Sequence, residues 1–322
     1  MTVHYCCTDV ACGRAWLTEE AAGLRCPNGH FYPFAAGSQV PVFACEEEGS
    51  NEYAIENAAE IHDNALRWVF RTFHTDEATL RKSLIGRLKL AKGQTILVTG
   101  AGAGNDLPYL AEVLNAGVVY AQDIALPMLM SAVERHGNAL SNSDVEVFFS
   151  ASDASNLPFQ NNQFDAAYHF GGINLFPDVG RGIAEMDRVV KPGGRIVICD
   201  EGIAPWIRST EVGKILLNNN PLYAYEAPLA SLPAMATNVN LSWELSGCFY
   251  VIDYVVSKTE PNIDIDVPHI GRRGGTMRTR YFGVLEGIDP ALKARIYAEA
   301  EKRGVSRVAF IEQLLGRDEV QS

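Results

Sequence analysis

Residues 96–106 read ILVTGAGAGND, an apolar run that breaks into the alternate glycines Gly100, Gly102 and Gly104 and then into Asn105 and Asp106. A short apolar run closed by glycines reads as a buried strand followed by a tight turn. The segment after it reads as a helix whose first N–H groups have no partner inside the helix. Glycine lets the backbone turn sharply and lets a ligand come close to the main chain. Downstream, VVYAQD (118–123) is a second strand that closes on Asp123. A carboxylate at that strand end can accept from both hydroxyls of a ribose, as in dinucleotide-binding folds. The spacing separates two kinds of nucleotide fold. GxGxxG would need a glycine or similar small residue where this chain has Asn105, and the run here is GxGxG.

Working outward, residues from about 94 to 256 alternate short apolar runs with helical stretches, the pattern of a parallel sheet covered by helices. TILVTG, VVYAQD, VEVFFSA, FDAAYHF and RIVICDE are strands, followed by LSWEL and CFYVIDYVV, which the intervening Ser-Gly predicts as an antiparallel hairpin at the sheet edge. An insert near 203–236 carries the Pro-, Asn- and aromatic-rich run NNNPLYAYEAPLASLP. Upstream, Leu66, Val69, Phe70 and Phe73 fall on one helical face, and Asp76 is placed to cap a second helix, EATLRKSLIGRLKL. The expected organisation is a Cys-rich module over 1–48, a helical connector or lid over 49–91, a nucleotide-binding domain over 92–256, and a C-terminal extension over 257–322. The extension holds the basic run GRRGGTMRTR and two helices, ALKARIYAEAEKR and VAFIEQLLG.

GxGxG after a first strand resembles motif I of the class I S-adenosylmethionine-dependent methyltransferases. The similarity continues through SASDASNLPFQNNQFDAAY (150–168) and LFPDVGRGIAEMDRVVKPGGRIVICDE (175–201). The resemblance implies an α/β fold with a Rossmann-like seven-stranded sheet. It implies S-adenosylmethionine as cofactor, with Gly100, Gly102 and Gly104 along its methionine and ribose and Asp123 on the ribose hydroxyls. Ile124 would pack on the adenine, Asp153 would accept from its amino group and the Ala154 N–H would donate to its ring. The family usually has an acidic residue two positions before the first glycine, where this chain has Val98. Asp106 or backbone carbonyls would then meet the methionine amino group.

Methyl transfer from a sulfonium needs an aligned acceptor and a place for its proton. Ligands in open α/β sheets lie beyond the carboxyl ends of the strands. That makes His169, in FDAAYHF, and Asp200 and Glu201, which end RIVICDE, the catalytic candidates, with His169 alternatively a wall of the cofactor pocket. Trp206, Tyr223 and Tyr225, with Pro221 and Pro228, suggest a lid around an apolar acceptor, and Arg272, Arg273, Arg278 and Arg280 a clamp for an anionic group on it.

Five of the seven cysteines, Cys6, Cys7, Cys12, Cys26 and Cys45, cluster at the N-terminus, which reads as a metal module. Cys7 with Cys12 and Cys26 with His30 supply a tetrahedral set for structural zinc, with Cys6 the alternative to Cys7. CPNGHFYPFAAGSQVPVF (26–43) resembles two modules, the zinc ribbon of bacterial ribosomal RNA guanine methyltransferases and the small ribbon that activates tRNA methyltransferases.

Of the 322 residues, 27 are Lys or Arg and 39 are Asp or Glu, a net charge of −12 that disfavours a polyanionic partner. No apolar run is long enough for a membrane span, and MTVHYCCTDV lacks the basic start and apolar stretch of a secretory leader, so a cytoplasmic protein is expected. The expectation is therefore methyl transfer to a small molecule. The alternatives are an RNA methyltransferase, which the ribbon suggests, and a repurposed fold without methyl transfer, which Val98 suggests.

Overall fold

The computed structural model describes residues 5–47, 49–140, 143–270, 276–282 and 288–318. The chain divides into two compact units, 1–260 and 261–322.

The first unit opens with a small antiparallel sheet of β1 (Thr18–Glu20), β2 (Gly23–Arg25) and β3 (Phe31–Pro33). Two helices follow, α1 (Ala58–Thr72) and α2 (Glu77–Gly86). Asp76 caps α2 as its sequence suggests, with Oδ2 accepting from the Thr79 N–H at 2.8 Å. A cap is worth about 1 kcal/mol. Burial of Leu80, Leu84 and Ile85, at roughly 1.5–3 kcal/mol each, is the larger force holding α2 on the sheet.

The main sheet is built from β4 (Thr95–Thr99), α3 (Leu107–Leu114), β5 (Gly117–Asp123), α4 (Leu126–Leu140), β6 (Val145–Ala151), β7 (Phe164–Phe170), α5 (Val179–Val189), β8 (Val190–Glu201), α6 (Glu211–Asn219), β9 (Thr237–Glu244) and β10 (Phe249–Val255). It is the expected Rossmann-like sheet of seven strands, in the order β6-β5-β4-β7-β8-β10-β9. β10 runs antiparallel to both its neighbours, and the other adjacent pairs are parallel. β9 and β10 form the expected edge hairpin. β8 begins before RIVICDE because the Lys191–Gly194 stretch stays paired: the Gly193 N–H donates to Val256 O, and the Val256 N–H to Gly194 O, each at 2.8 Å. Central strands such as Ile96–Val98 and Ile196–Ile198 are buried throughout, as strands covered on both faces require.

The N-terminal module shares the core of this unit. Tyr5, Leu17, Leu24 and Tyr32 pack into one apolar cluster with Tyr120, Phe159 and Phe164. The Tyr5 ring lies 5.5 Å from Phe159 and 5.8 Å, edge-on, from Tyr120. Arg14 fastens the module to the rim of the sheet, donating to Leu157 O at 2.7 Å and to Glu185 of α5 at 3.3 Å.

The second unit contains α7 (Met277–Phe282), α8 (Pro290–Lys302) and α9 (Arg307–Asp318), the last two matching the expected helices. Arg303 lies over Phe310 and Arg307 over Tyr297. Arg278 forms a two-bond fork on Asp266, whereas Arg272 and Arg273 lie outside the described residues, as does the Arg280 side chain. Among the described residues, no helix is long and apolar enough to cross a membrane.

Candidate active site

β4 ends at Thr99, and the chain then turns through Gly100, Gly102 and Gly104 at φ of 60°, 53° and 78°, the left-handed region that only glycine adopts freely. Space adds to the requirement. A Cβ at Gly100 would come within 2.9 Å of His169 Cε1, and one at Gly104 within 2.8 Å of His136 Cδ2. Asp123 ties the loop to the end of β5, its Oδ2 accepting from the Gly102 N–H at 2.7 Å and its Oδ1 from the Ala125 N–H at 2.8 Å. Burial raises the Asp123 carboxyl above the ordinary carboxylate range, against the pull of these N–H groups.

Beyond the loop a cavity of about 300 Å³ opens at the carboxyl ends of β4, β5, β7 and β8. Of the residues expected around cofactor and chemistry, Gly100, Gly102, Asp106, Asp123, Ile124, Asp153, Ala154, His169, Asp200 and Glu201 all line it. Gly104 does not, and serves instead the close packing of the loop on α4. Asp153 closes its own turn, with Oδ1 accepting from the Ser155 N–H at 2.7 Å.

His169 is fully buried. Its Nδ1 lies 3.0 Å from Thr99 Oγ1, and its Nε2 has no hydrogen-bond partner among the described residues. Burial lowers its pKa, against the nearby Asp200 charge, so the ring is held in the neutral form. Asp200 accepts from the N–H groups of Asn174 and Glu201, each at 2.8 Å. The Asn174 side chain in turn accepts from the Tyr250 hydroxyl at 3.0 Å. Burial, then the Asp200 group beside it, pushes the Glu201 carboxyl well above the ordinary range.

Asp106 is drawn into a buried cluster. Arg81 Nη1 donates to its Oδ2 at 2.7 Å and the Tyr168 hydroxyl to its Oδ1 at 3.1 Å, while Arg81 Nε donates to Glu77 at 2.8 Å. Val98 itself is buried in β4.

Sequence reasoning missed much of the remaining wall. Glu46, Tyr53, His62, Arg81, Phe176, Leu245 and Phe249 line the cavity, as do Leu66, Val69 and Phe70 of α1. The apolar stripe of α1 is visible in the sequence, but nothing local says that it faces a cavity. The aromatic insert contributes less than expected. Leu222 reaches the cavity, whereas Tyr223 packs edge-on against Phe73 and Phe249, and Trp206 and Tyr225 are exposed. The correction has a simple cause: Tyr223 is consumed by the apolar core beneath the insert, and Trp206 is held edge-on by Trp243 at 5.1 Å.

In the N-terminal module the candidate ligand atoms of Cys7, Cys12, Cys26 and His30 all lie within 4.8 Å of one another. His30 Nδ1 is 3.5 Å from Cys7 Sγ and 3.2 Å from Cys12 Sγ. A zinc ion with bonds of roughly 2.3 Å to sulfur and 2.0 Å to nitrogen needs edges of about 3.5 Å between such atoms, so the donor set fits. His30 Nε2 lies 3.3 Å from Asp9 Oδ2, the carboxylate contact that commonly orients a ligating imidazole. Burial opposes ionisation of Cys26, but the Asn28 N–H and the neighbouring donors outweigh it and bring the thiol down to about 7. Cys6 turns away: its N–H donates to Pro158 O and its thiol lies toward Arg14 and Gln160.

Residues 97–198 match the family described as "Methyltransferase domain", a stretch that runs from β4 almost to the end of β8. The chain is 36% identical over 120 residues to a demethylmenaquinone methyltransferase of Corynebacterium kroppenstedtii, covering 37% of this chain and 47% of that protein. It is 31% identical over 144 residues to a 2-phytyl-1,4-naphtoquinone methyltransferase of Nostoc punctiforme, covering 44% and 60%. The chain therefore spans about half the length of the curated relatives it matches. The solved structure of Haemonchus contortus phosphoethanolamine N-methyltransferase 2 with S-adenosyl-L-methionine aligns at 15% identity and a TM-score of 0.48, over 63% of this chain and 58% of its own.

Proposed function

We propose that this protein is an S-adenosylmethionine-dependent methyltransferase acting on a small, largely apolar molecule, with zinc in the N-terminal module as a structural ion. The observation that carries the reading is the glycine loop tied to Asp123 and opening onto one cavity, inside the stretch that matches the methyltransferase domain. When bound, the cofactor supplies a methyl group on a sulfonium centre whose departure leaves the electron pair on sulfur. Each Asp123 oxygen accepts one backbone N–H and keeps a lone pair for a ribose hydroxyl. Asp153 keeps Oδ2 for the adenine amino group, with the Ala154 N–H and Ile124 beside it.

The methionine end carries both an ammonium and a carboxylate, and the Arg81–Asp106 pair offers one charge of each sign at the loop. In this reading that pair does the work of the acidic residue replaced by Val98. His169, buried and kept neutral, serves as a wall of the cofactor pocket, while Asp200 holds Asn174 in place. Four protein ligands leave a zinc ion no open position for substrate, so its role is to hold the fold. The names of the relatives make demethylmenaquinone, reduced to its hydroquinone so that the ring can give electrons and lose a proton, the first acceptor to assay.

Calorimetry tests the cofactor site directly. S-adenosylhomocysteine is expected to bind one to one. The double variant Arg81→Gln, Asp106→Asn, which leaves no buried charge unpaired, is expected to weaken it about ten-fold, near 1.4 kcal/mol. 5′-Methylthioadenosine, which lacks the amino-acid end, should bind wild type and variant alike. No binding of S-adenosylhomocysteine to the wild type would sink the methyltransferase reading. Equal losses for both nucleosides would sink only the assignment of Arg81 and Asp106.

A further inference from the structure

We propose that His62 of α1 receives the acceptor's protic group, and that the acceptor is a neutral ring molecule carrying a hydroxyl. The inference deepens the methyltransferase reading and rests on it. Position 62 lies one helical turn before Leu66 on the stripe that continues through Val69 and Phe70, a place where helix periodicity calls for an apolar side chain. His62 lines the cavity there. Among the described residues neither ring nitrogen makes a hydrogen bond; Nδ1 is shut away from any accessible space, so Nε2 is the nitrogen that a ligand can reach. A polar ring on an otherwise apolar helical stripe, with a nitrogen reachable from the cavity it lines, marks a place for a ligand's polar group.

The surroundings choose the ligand's charge. The Tyr53 ring stands edge-on to His62 at 6.2 Å. The charges that act on His62 itself are mixed in sign, Asp63 and Glu77 against Arg81 and Arg135, and Asp200 and Glu201 line the same cavity. Phe249 and Leu245 line the same cavity with apolar surface. An anion would share this cavity with the carboxyl groups of Glu46, Asp123, Asp153, Asp200 and Glu201. The only Lys or Arg among the described lining residues, Arg81, is already bonded to Asp106 and Glu77. This disfavours the anionic group expected from the sequence. A neutral hydroxyl suits the site, because burial keeps His62 in the neutral form, whose free nitrogen accepts an O–H.

The test uses the full chain saturated with S-adenosylhomocysteine and two probes that share one apolar body, 4-phenylphenol and biphenyl-4-carboxylate. Wild type is expected to bind the phenol at least ten-fold more tightly than the carboxylate. His62→Phe, which completes the apolar stripe and should melt no lower than wild type, is expected to weaken the phenol about ten-fold. His62→Gln, which keeps a polar contact, should recover part of that loss. Affinity for S-adenosylhomocysteine should stay within two-fold in both variants. Unchanged phenol binding in His62→Phe, equal binding of the two probes, or no phenol binding to the wild type would overturn the proposal while leaving the methyltransferase reading intact. Failure of the wild type to bind S-adenosylhomocysteine would overturn both.

Discussion

Glu201 is where burial acts most plainly on a single group. Its carboxyl is raised by desolvation and by the Asp200 group beside it. Below the ordinary glutamate pKa of about 4.3, both folded and unfolded chains carry the proton and the residue is silent. As pH rises through that value the unfolded chain ionises and the folded protein does not, so stability falls until the folded pKa is passed. Glu201→Gln removes this loss. The variant is expected to melt with wild type near pH 4 and above it at pH 7, as scanning calorimetry would read. Equal melting temperatures at both values would mean that Glu201 ionises in the folded protein as freely as in water. Asp123 shows the other side of the same physics. Its place at the strand end is plain in the sequence, but its two bonds to Gly102 and Ala125, which shape the loop before any ligand arrives, exist only in the fold.

Among the elements, α2 links stability to the site. It is seated by Leu80, Leu84 and Ile85 and begins at the Asp76 cap, and its inner face carries Arg81 to Asp106. Asp76→Ala is expected to cost about 1 kcal/mol, a fall in melting temperature of roughly 2–4 °C. Asp76→Asn, which keeps an acceptor at the cap, should fall by less. Identical melting of the alanine variant and wild type would show that the cap contributes nothing beyond what water supplies. The cap and the helix are readable from sequence because both depend on residues within one turn of each other. The partner of Arg81 is not, because it comes from another element 25 residues away.

Across the whole first unit, the N-terminal module braces one wall of the cavity. The Cys6 N–H donates to Pro158 O at 2.8 Å, the Asn156 side chain to Thr8 O at 3.0 Å, and Arg14 to Leu157 O at 2.7 Å. The strand leaving the module adds a bond from the Phe43 N–H to Ala151 O at 2.8 Å, and the Glu46 N–H reaches Ile124 O at 3.2 Å. The stretch 151–158 held in this way includes Asp153 and Ala154. Elemental analysis of the purified protein is expected to find one zinc per chain. Stripping it should lower the melting temperature and weaken S-adenosylhomocysteine and 5′-methylthioadenosine together, since the loosened wall is the one the proposed reading gives to the adenine. Full affinity in metal-free protein would show that the brace stands without the ion. By itself the amino-acid sequence determined the strand and helix periodicities, the glycine turn, the capping aspartate and the pool of candidate metal ligands, with Cys6 and Cys7 still alternatives, because each depends on residue type and short spacing. Only the tertiary structure decided that Arg81 neutralises Asp106, that α1 supplies more of the cavity wall than the aromatic insert, and that Cys7 rather than Cys6 joins the cluster. Hydrophobic pattern says which face of an element is buried; which distant side chain waits on the other side depends on how the elements pack.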